Sequence, residues 1–230
     1  MFLPLAYAFI LSLSHYYSER IKIKYEDFKY SLLSFSSGLA VSYLMLVLFP
    51  ELYKGVTNLD RFIFLFVLVG FISLYLIDKY IYEFAEMDKV KDDLKVSHSI
   101  AFFIYHLFIG IVLVDFASKG AFSLTLFFIP VLLVTITTGV SFNELHYDVK
   151  ENRYAKLFLS LSTLIGMFFA VTFNIPQILN LMLIGVVGGV MLFLVVREFI
   201  PHEKRADPLY FIYGLLLYTI FIIITWILNI

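Results

Sequence analysis

Eight apolar stretches occupy most of this 230-residue chain: roughly Phe2 to Tyr17, Tyr30 to Phe49, Phe62 to Tyr82, Ile100 to Ala117, Ala121 to Phe142, Ala155 to Phe173, Gln177 to Val196 and Leu209 to Ile230. A helix needs about 20 apolar residues to cross about 30 Å of hydrocarbon, so each stretch has membrane-spanning length or nearly so. Spans one and four are short, which predicts little tilt or partial burial among neighbours. The polar joints, such as Glu51 to Asp60 and His202 to Pro208, leave no room for a soluble domain. Residues 1–230 therefore read as one all-α, polytopic membrane domain of eight transmembrane helices, with the lipid bilayer as its partner. Composition agrees: 61% of residues are hydrophobic and 15% charged, against about 25% charged in soluble domains. The run Phe2 to Leu13 lacks a basic n-region and counts as span one, not as a signal peptide.

The seven connections sort the charges. Arg20, Lys22, Lys24 and Lys29 lie in the first, Lys79, Lys89, Lys91 and Lys95 in the third, Lys150, Arg153 and Lys156 in the fifth, and Arg197, Lys204 and Arg205 in the seventh. The even connections hold only Lys54, Arg61 and Lys119 of the 17 basic residues. Cationic loops stay cytoplasmic, so the chain is expected in the cell membrane, multi-pass, N-out and C-out, with both termini extracellular. A net charge of −1 predicts no nucleic-acid partner. Zero Cys excludes disulfides, thiolate metal sites and Cys nucleophiles. No nucleotide loop, zincin box or Ser–His arrangement is present, so the chain is not read as an enzyme.

The sequence also repeats itself. Gly38 to Pro50 in span two and Gly189 to Pro201 in span seven enclose apolar stretches of identical length, each followed within two residues by Glu51 or by His202 and Glu203. By the charge rule the two spans run in opposite directions, as in an inverted repeat. The competing reading is coincidence, since Gly and Pro are common in membrane helices.

An ionisable group at mid-bilayer costs at least about 2.5 kcal/mol, which marks it for function. His106, near the middle of span four, is the one deeply placed ionisable side chain by this reading, with Tyr105 beside it and Gly110 one turn on. A neutral imidazole can ligate a transition metal or relay a proton; the plainer alternative is one interhelical hydrogen bond. Span five carries Pro130, Thr135, Thr137, Thr138, Gly139 and Ser141, then Asn143, Glu144, His146 and Asp148. Pro130 frees a backbone carbonyl one turn earlier, and such carbonyls serve ion sites in discontinuous helices. Glu144 and Asp148, four residues apart, with Asn143 and His146 adjacent, can share a helical end and bind a divalent cation, or form an ordinary solvated terminus running into Lys150 and Arg153. The serines of spans two and six read as small packing positions, the acids and lysines of the third connection as an amphipathic or flexible loop, and Glu51 and Asp115 as interfacial groups.

Ser36-Ser37-Gly38-Leu39-Ala40 through Leu48-Phe49-Pro50-Glu51-Leu52, Gly70-Phe71 through Asp78-Lys79, and Val187-Gly188-Gly189 through Phe199-Ile200-Pro201-His202-Glu203 resemble the second, third and seventh helices of the ZIP (zinc-iron permease) family of metal transporters. The resemblance implies a ZIP-like fold with an inverted repeat relating helices 1–3 to 6–8. It also implies a secondary transporter of a divalent cation, Zn²⁺ or Fe²⁺, working by alternating access, with helices 1, 4, 5 and 6 moving against 2, 3, 7 and 8. The family's His-Asn-x-x-Asp/Glu-Gly motif aligns with Tyr105-His106-Leu107-Phe108-Ile109-Gly110, leaving His106 as the donor. Its His-Glu-x-x-His aligns with Phe142-Asn143-Glu144-Leu145-His146 only near the membrane edge. The expected metal-binding residues are therefore His106, Asn143, Glu144 and His146, in a site largely dismantled. The alternative function is a non-transporting or differently selective ZIP-like protein. No cofactor is expected beyond the transported ion; oligomeric state is left open, with a homodimer as one compatible form. The charge asymmetry makes one direct expectation: a Cys placed between Asp88 and Lys95 is shielded from an impermeant thiol reagent applied outside, whereas one at Thr57 reacts readily, and labelling in the reverse pattern inverts the topology.

Overall fold

The computed structural model describes residues 2–18, 23, 25–55, 60–84, 90–145, 153–199 and 207–228. Among these every secondary-structure element is a helix. In chain order α1 is Phe2–Ser18, α2 is Glu26–Lys54, α3 is Ile63–Phe84, α4 is Val90–Ser118 and α5 is Ala121–Leu145. Helix α6 comes in two pieces, Arg153–Ser160 and Ser162–Thr172, followed by α7, Gln177–Phe199, and α8, Pro208–Ile227. Each of the eight apolar spans of the sequence is thus a helix. Six are long and apolar enough to cross a membrane; α1, with 17 residues, and the broken α6 are shorter. This is the architecture of a polytopic membrane protein. The outward faces of α3 and α8, including Leu65, Leu68, Val69, Leu216, Leu217 and Ile220, are exposed and apolar, an arrangement suited to lipid and costly in water.

Three local departures from the sequence reading have physical causes. Helix α4 begins at Val90, inside the third connection, so part of that charged loop continues the helix. Helix α2 widens to a π turn over Leu44–Leu48. Pro50 explains it: proline has no N–H to give the Leu46 carbonyl and its ring collides with that group, so the ladder shifts, and the Phe49 N–H reaches back to the Leu44 carbonyl. Helix α6 breaks at Leu161, beside Ser160, whose Oγ donates to the Leu157 carbonyl at 2.8 Å, a back-bond that bends helices. The tight link from α4 to α5 depends on Gly120, whose φ of 122° no side-chain-bearing residue adopts without strain.

Helices far apart in sequence pack as parallel pairs. Helix α2 lies along α8: Asp207 caps α8 by accepting from the Leu209 and Tyr210 N–H groups, its own N–H donates to Ser34 Oγ at 2.9 Å, and further along Ser42 Oγ donates to the Leu215 carbonyl at 2.8 Å. Helix α3 lies along α7, with Phe71 edge-on to Phe193 at 5.7 Å. Helix α4 lies along α6, with Phe103 stacked on Phe158 at 5.3 Å. Helix α1 lies along α5, with Tyr7 stacked on Phe128 at 3.9 Å and its hydroxyl 3.1 Å from Thr125 Oγ1. Helices α2 and α7 cross in opposite directions, since Gly188 meets Leu48 while Gly55 meets Leu181. The α2/α8 and α3/α7 pairs meet through α2 and α7, and the α1/α5 and α4/α6 pairs meet through α1–α6 and α4–α5 contacts; taken as two sets, α2, α3, α7 and α8 face α1, α4, α5 and α6 along α2–α5 and α4–α7.

Glycine sets the closeness of three of the four pairs. A Cβ at Gly38 would strike the Phe211 carbonyl, and one at Gly214 would strike the Phe35 carbonyl. The same reciprocal contact joins Gly70 to Val186 and Gly189 to Val67, and again Gly110 to Thr163 and Gly166 to Leu107. Small residues at such crossings let backbones touch, which is the main source of affinity between helices in lipid. Replacing Gly38 or Gly189 by Leu therefore forces the pair apart and costs at least about 1–3 kcal/mol, read as a lowered thermal midpoint in detergent; Gly188→Ala, which meets only a flexible Leu48 side chain, is expected to cost less.

Candidate ion-binding cavity

His106 is 2% exposed and sits about 18 Å along α4 from Ser118, close to the middle of a 30 Å hydrocarbon layer. The Gly110–Gly166 crossing draws α6 against this stretch of α4, and His106 Nδ1 lies 3.3 Å from Thr163 Oγ1. That contact is the interhelical hydrogen bond foreseen as the plainer role of this histidine. It occupies Nδ1 and leaves Nε2 for a ligand.

The same ring also borders a cavity of about 20 Å³, lined by His15, Tyr105, His106, Thr135, Thr138 and Leu194 among others. This is room for about one water or one bare ion. Helices α1, α4 and α5 supply the polar wall, and Leu194 of α7 closes it, so the cavity lies where the two helix sets meet. His15 stacks on His106 with ring centres 4.6 Å apart and planes 19° apart. The hydroxyls of Tyr105, Thr135 and Thr138 are buried and make no hydrogen bond, an arrangement that costs about 1–3 kcal/mol for each group. A ligand with several open coordination positions offsets that cost. Neutral imidazole nitrogens suit first-row transition metals, and hydroxyl oxygens can complete a shell weakly.

Of the residues expected to bind metal, His106 lines this cavity. Asn143 and Glu144 fall in the last turn of α5, about one to two turns beyond Thr138; their side chains lie outside the described residues, as do His146 and Asp148. Among the described residues no group of three or more His, Asp or Glu side chains converges. His15 escaped the sequence reading because it stands near the end of a short span. A signal was present: Ala8, Leu11, Ser12 and His15 fall at i, i+3, i+4 and i+7, a stripe that turns one face of α1 inward, and Ala8, Leu11 and Ser12 are all buried.

The carbonyl freed by Pro130 has a different fate from the one anticipated. Leu126, four residues earlier, keeps its C=O without a helical N–H, and the Tyr218 hydroxyl of α8 donates to it at 2.7 Å. Tyr218 is 1% exposed, so the proline notch is filled by a side chain from the opposite helix set and is no ion ligand.

A second polar cluster lies at the end of the bundle remote from the basic connections. Lys119 Nζ contacts Asp115 Oδ2 at 2.6 Å and Glu51 Oε1 at 3.1 Å; Lys54 also reaches Glu51, at 3.0 Å, and Asn180 Nδ2 donates to Asp115 Oδ1 at 3.3 Å. Partial burial by itself lowers the pKa of the Lys119 ammonium, but the Asp115 and Glu51 carboxylates outweigh it and hold the group above its ordinary value. Its contribution to stability is complete below about pH 10.4, the value for a solvated lysine, and is lost only as pH rises through the higher folded value.

No protein-family model matches the chain, and no solved structure matches it. An uncharacterized protein of Methanocaldococcus jannaschii is 27% identical over 215 residues, which cover 88% of this chain and 86% of the relative. The likeness thus runs through most of the chain and is not confined to one segment of it.

The Pro130 notch can be checked by a double-mutant cycle. Tyr218→Phe strands the Leu126 carbonyl and is expected to cost about 1–3 kcal/mol in thermal unfolding. In a Pro130→Ala background the restored backbone N–H satisfies that carbonyl, so the penalty for Tyr218→Phe shrinks; equal penalties in the two backgrounds contradict the assignment.

Proposed function

We propose that the chain is a ZIP-like secondary carrier that moves a divalent metal cation, Zn²⁺ or Fe²⁺, across the cell membrane by alternating access, through a degenerate site centred on His106. The observation that carries this reading is the meeting of His15 and His106 with three unpartnered hydroxyls around a cavity of single-ion size, at the seam between two four-helix sets. A seam is where rocking of one set against the other exposes a site first to one side and then to the other.

The packing pattern supports the inverted repeat. Exchanging α1 with α6, α2 with α7, α3 with α8 and α4 with α5 turns the α2/α8 pair into α7/α3 and the α4/α6 pair into α5/α1. Under that exchange Gly38 takes the place of Gly189 and Gly70 that of Gly214, and each glycine keeps the same kind of backbone contact. The antiparallel crossing of α2 and α7 fits a repeat of opposite orientation. N-out, C-out topology remains the orientation favoured by the basic odd connections.

A second reading, a ZIP-like membrane protein that no longer transports or carries a different ion, is favoured by the donor set itself. Two imidazoles and three hydroxyls bring no negative charge to offset a divalent ion, and such an ion is expensive to desolvate uncompensated.

Uptake by the reconstituted full chain in liposomes separates the two. With Zn²⁺, Fe²⁺, Mn²⁺ and Cd²⁺ outside, the carrier reading expects saturable entry of Zn²⁺ or Fe²⁺. His106→Leu lowers that rate at least about tenfold while leaving the protein folded, since Leu suits a bilayer and removes the metal-donor atoms together with one hydrogen bond, to Thr163. Thr138→Val weakens apparent affinity less, because a hydroxyl is a poorer ligand. Absence of uptake for all four ions, or an unchanged rate in His106→Leu, removes the metal role and leaves the second reading.

A further inference from the structure

The two carboxylates and the ammonium of the cluster come from different helix sets. Glu51 lies on α2 and Asn180 on α7, both of the first set; Asp115 ends α4 and Lys119 begins the link to α5, both of the second. Lys119 therefore spans the seam that separates the sets, joined by ion pair to Glu51 at 3.1 Å and to Asp115 at 2.6 Å. The Asn180–Asp115 hydrogen bond crosses the same seam in the reverse sense. These groups are partly buried, with side-chain exposures of 31% for Lys119, 21% for Glu51 and 13% for Asp115, so solvent screens them less than a fully exposed pair.

Directly beneath, the structure is closed a second time. The Lys119 ammonium lies 4.8 Å over the Phe116 ring, Phe116 stacks on Phe127 at 4.9 Å, and Phe127 packs on Tyr43 of α2 at 6.1 Å. All three rings are almost fully buried. An ion-pair bridge on an aromatic layer, both crossing the seam, shuts this end of the bundle while the cavity lies deeper, toward the basic connections.

We propose that Lys119 is an electrostatic latch that holds the two helix sets together at this end, so that releasing its bond to Glu51 is the step that lets the seam open there. The proposal rests on the carrier reading for its purpose, but its physical content is a distance between helix sets, measurable whether or not any ion is carried. Separation of the sets requires the α2 carboxylate to part from the α4–α5 ammonium, whereas Asp115 and Lys119 travel together. The pair that breaks is therefore Glu51–Lys119, and the Asp115–Lys119 pair keeps the ammonium poised to re-engage.

The chain has no Cys, so spin labels go only where they are placed. Tyr53, on α2, and Phe122, on α5, are both exposed. With labels on Tyr53→Cys and Phe122→Cys in the full chain in lipid nanodiscs, pulsed electron resonance is expected to give one dominant short distance. Lys119→Met should add a longer-distance population, raising its share roughly fivefold, the factor an ion pair of about 1 kcal/mol supplies. The charge exchange of Glu51→Lys with Lys119→Glu places Asp115 beside a carboxylate, so a third change, Asp115→Asn, is included; this triple variant should restore the short distance. Unlabelled positions need not change for a second test: raising salt from about 0.1 to 1 M, which shortens the screening length from about 10 to 3 Å, should populate the longer distance in the otherwise native sequence. A distribution unmoved by both Lys119→Met and salt overturns the latch. So does a Lys119→Met effect that the charge exchange fails to reverse, because that outcome marks general loosening. Failure of the carrier reading shows instead as absent ion uptake with these distance shifts intact.

Discussion

Backbone contact at glycine is the constraint from which the rest of the structure follows. In lipid the helices gain nothing by hiding apolar side chains from one another, because the hydrocarbon is as apolar as leucine; dispersion contact at short range has to hold the array. Gly38 with Gly214, Gly70 with Gly189 and Gly110 with Gly166 each bring two helices to the distance at which one helix's backbone carbonyls touch the other's bare α-carbons. Those three crossings fix which helices pair, and through the pairs they place Thr163 against His106 and align Asp207 with the serines of α2. The fourth pair, α1 with α5, relies on Tyr7, Phe128 and Thr125. Its looser packing leaves the polar cavity beside it.

The two prolines in the α2 and α5 spans show how the same chemical defect meets two structural answers. Pro50 deforms its own helix, which widens into a π turn. Pro130 leaves α5 continuous and has its orphaned carbonyl capped by Tyr218. The difference is the neighbour: α8 brings a buried phenol to α5, while among the described residues no side-chain hydroxyl is bonded to the Leu46 carbonyl of α2.

Much of this was legible in the sequence, and the illegible part has a common cause. Hydropathy located every helix, because bilayer thickness is a ruler that the apolar run lengths must satisfy. The Gly38 and Gly189 positions stood out by their equal distance to a proline. His106 stood out as a charge-capable group in hydrocarbon. What one-dimensional pattern does not carry is which helix faces which: His15 becomes part of a site only because α1 lies beside α4 and α5, and Tyr218 caps α5 only because α8 crosses it. Glu51 and Asp115 read singly as interfacial groups and Lys119 as a connection cation, and all three gained meaning from their mutual distances.

Pairing helices at opposite ends of the chain has a consequence for biogenesis. Ser42 and the Leu215 carbonyl it binds are 173 residues apart, and synthesis at 5–20 residues per second separates their arrival in the membrane by roughly 10 to 35 s. Throughout that interval α2 waits with its serine and glycine face turned to lipid, and α3 waits roughly two thirds as long for α7. Each is apolar enough to remain inserted alone, so insertion and assembly are distinct stages. Of the eight helices described, α8 is the latest made and completes the first helix set, and a chain that stops short of α8 leaves its second span in the bilayer without the partner its sequence was shaped for.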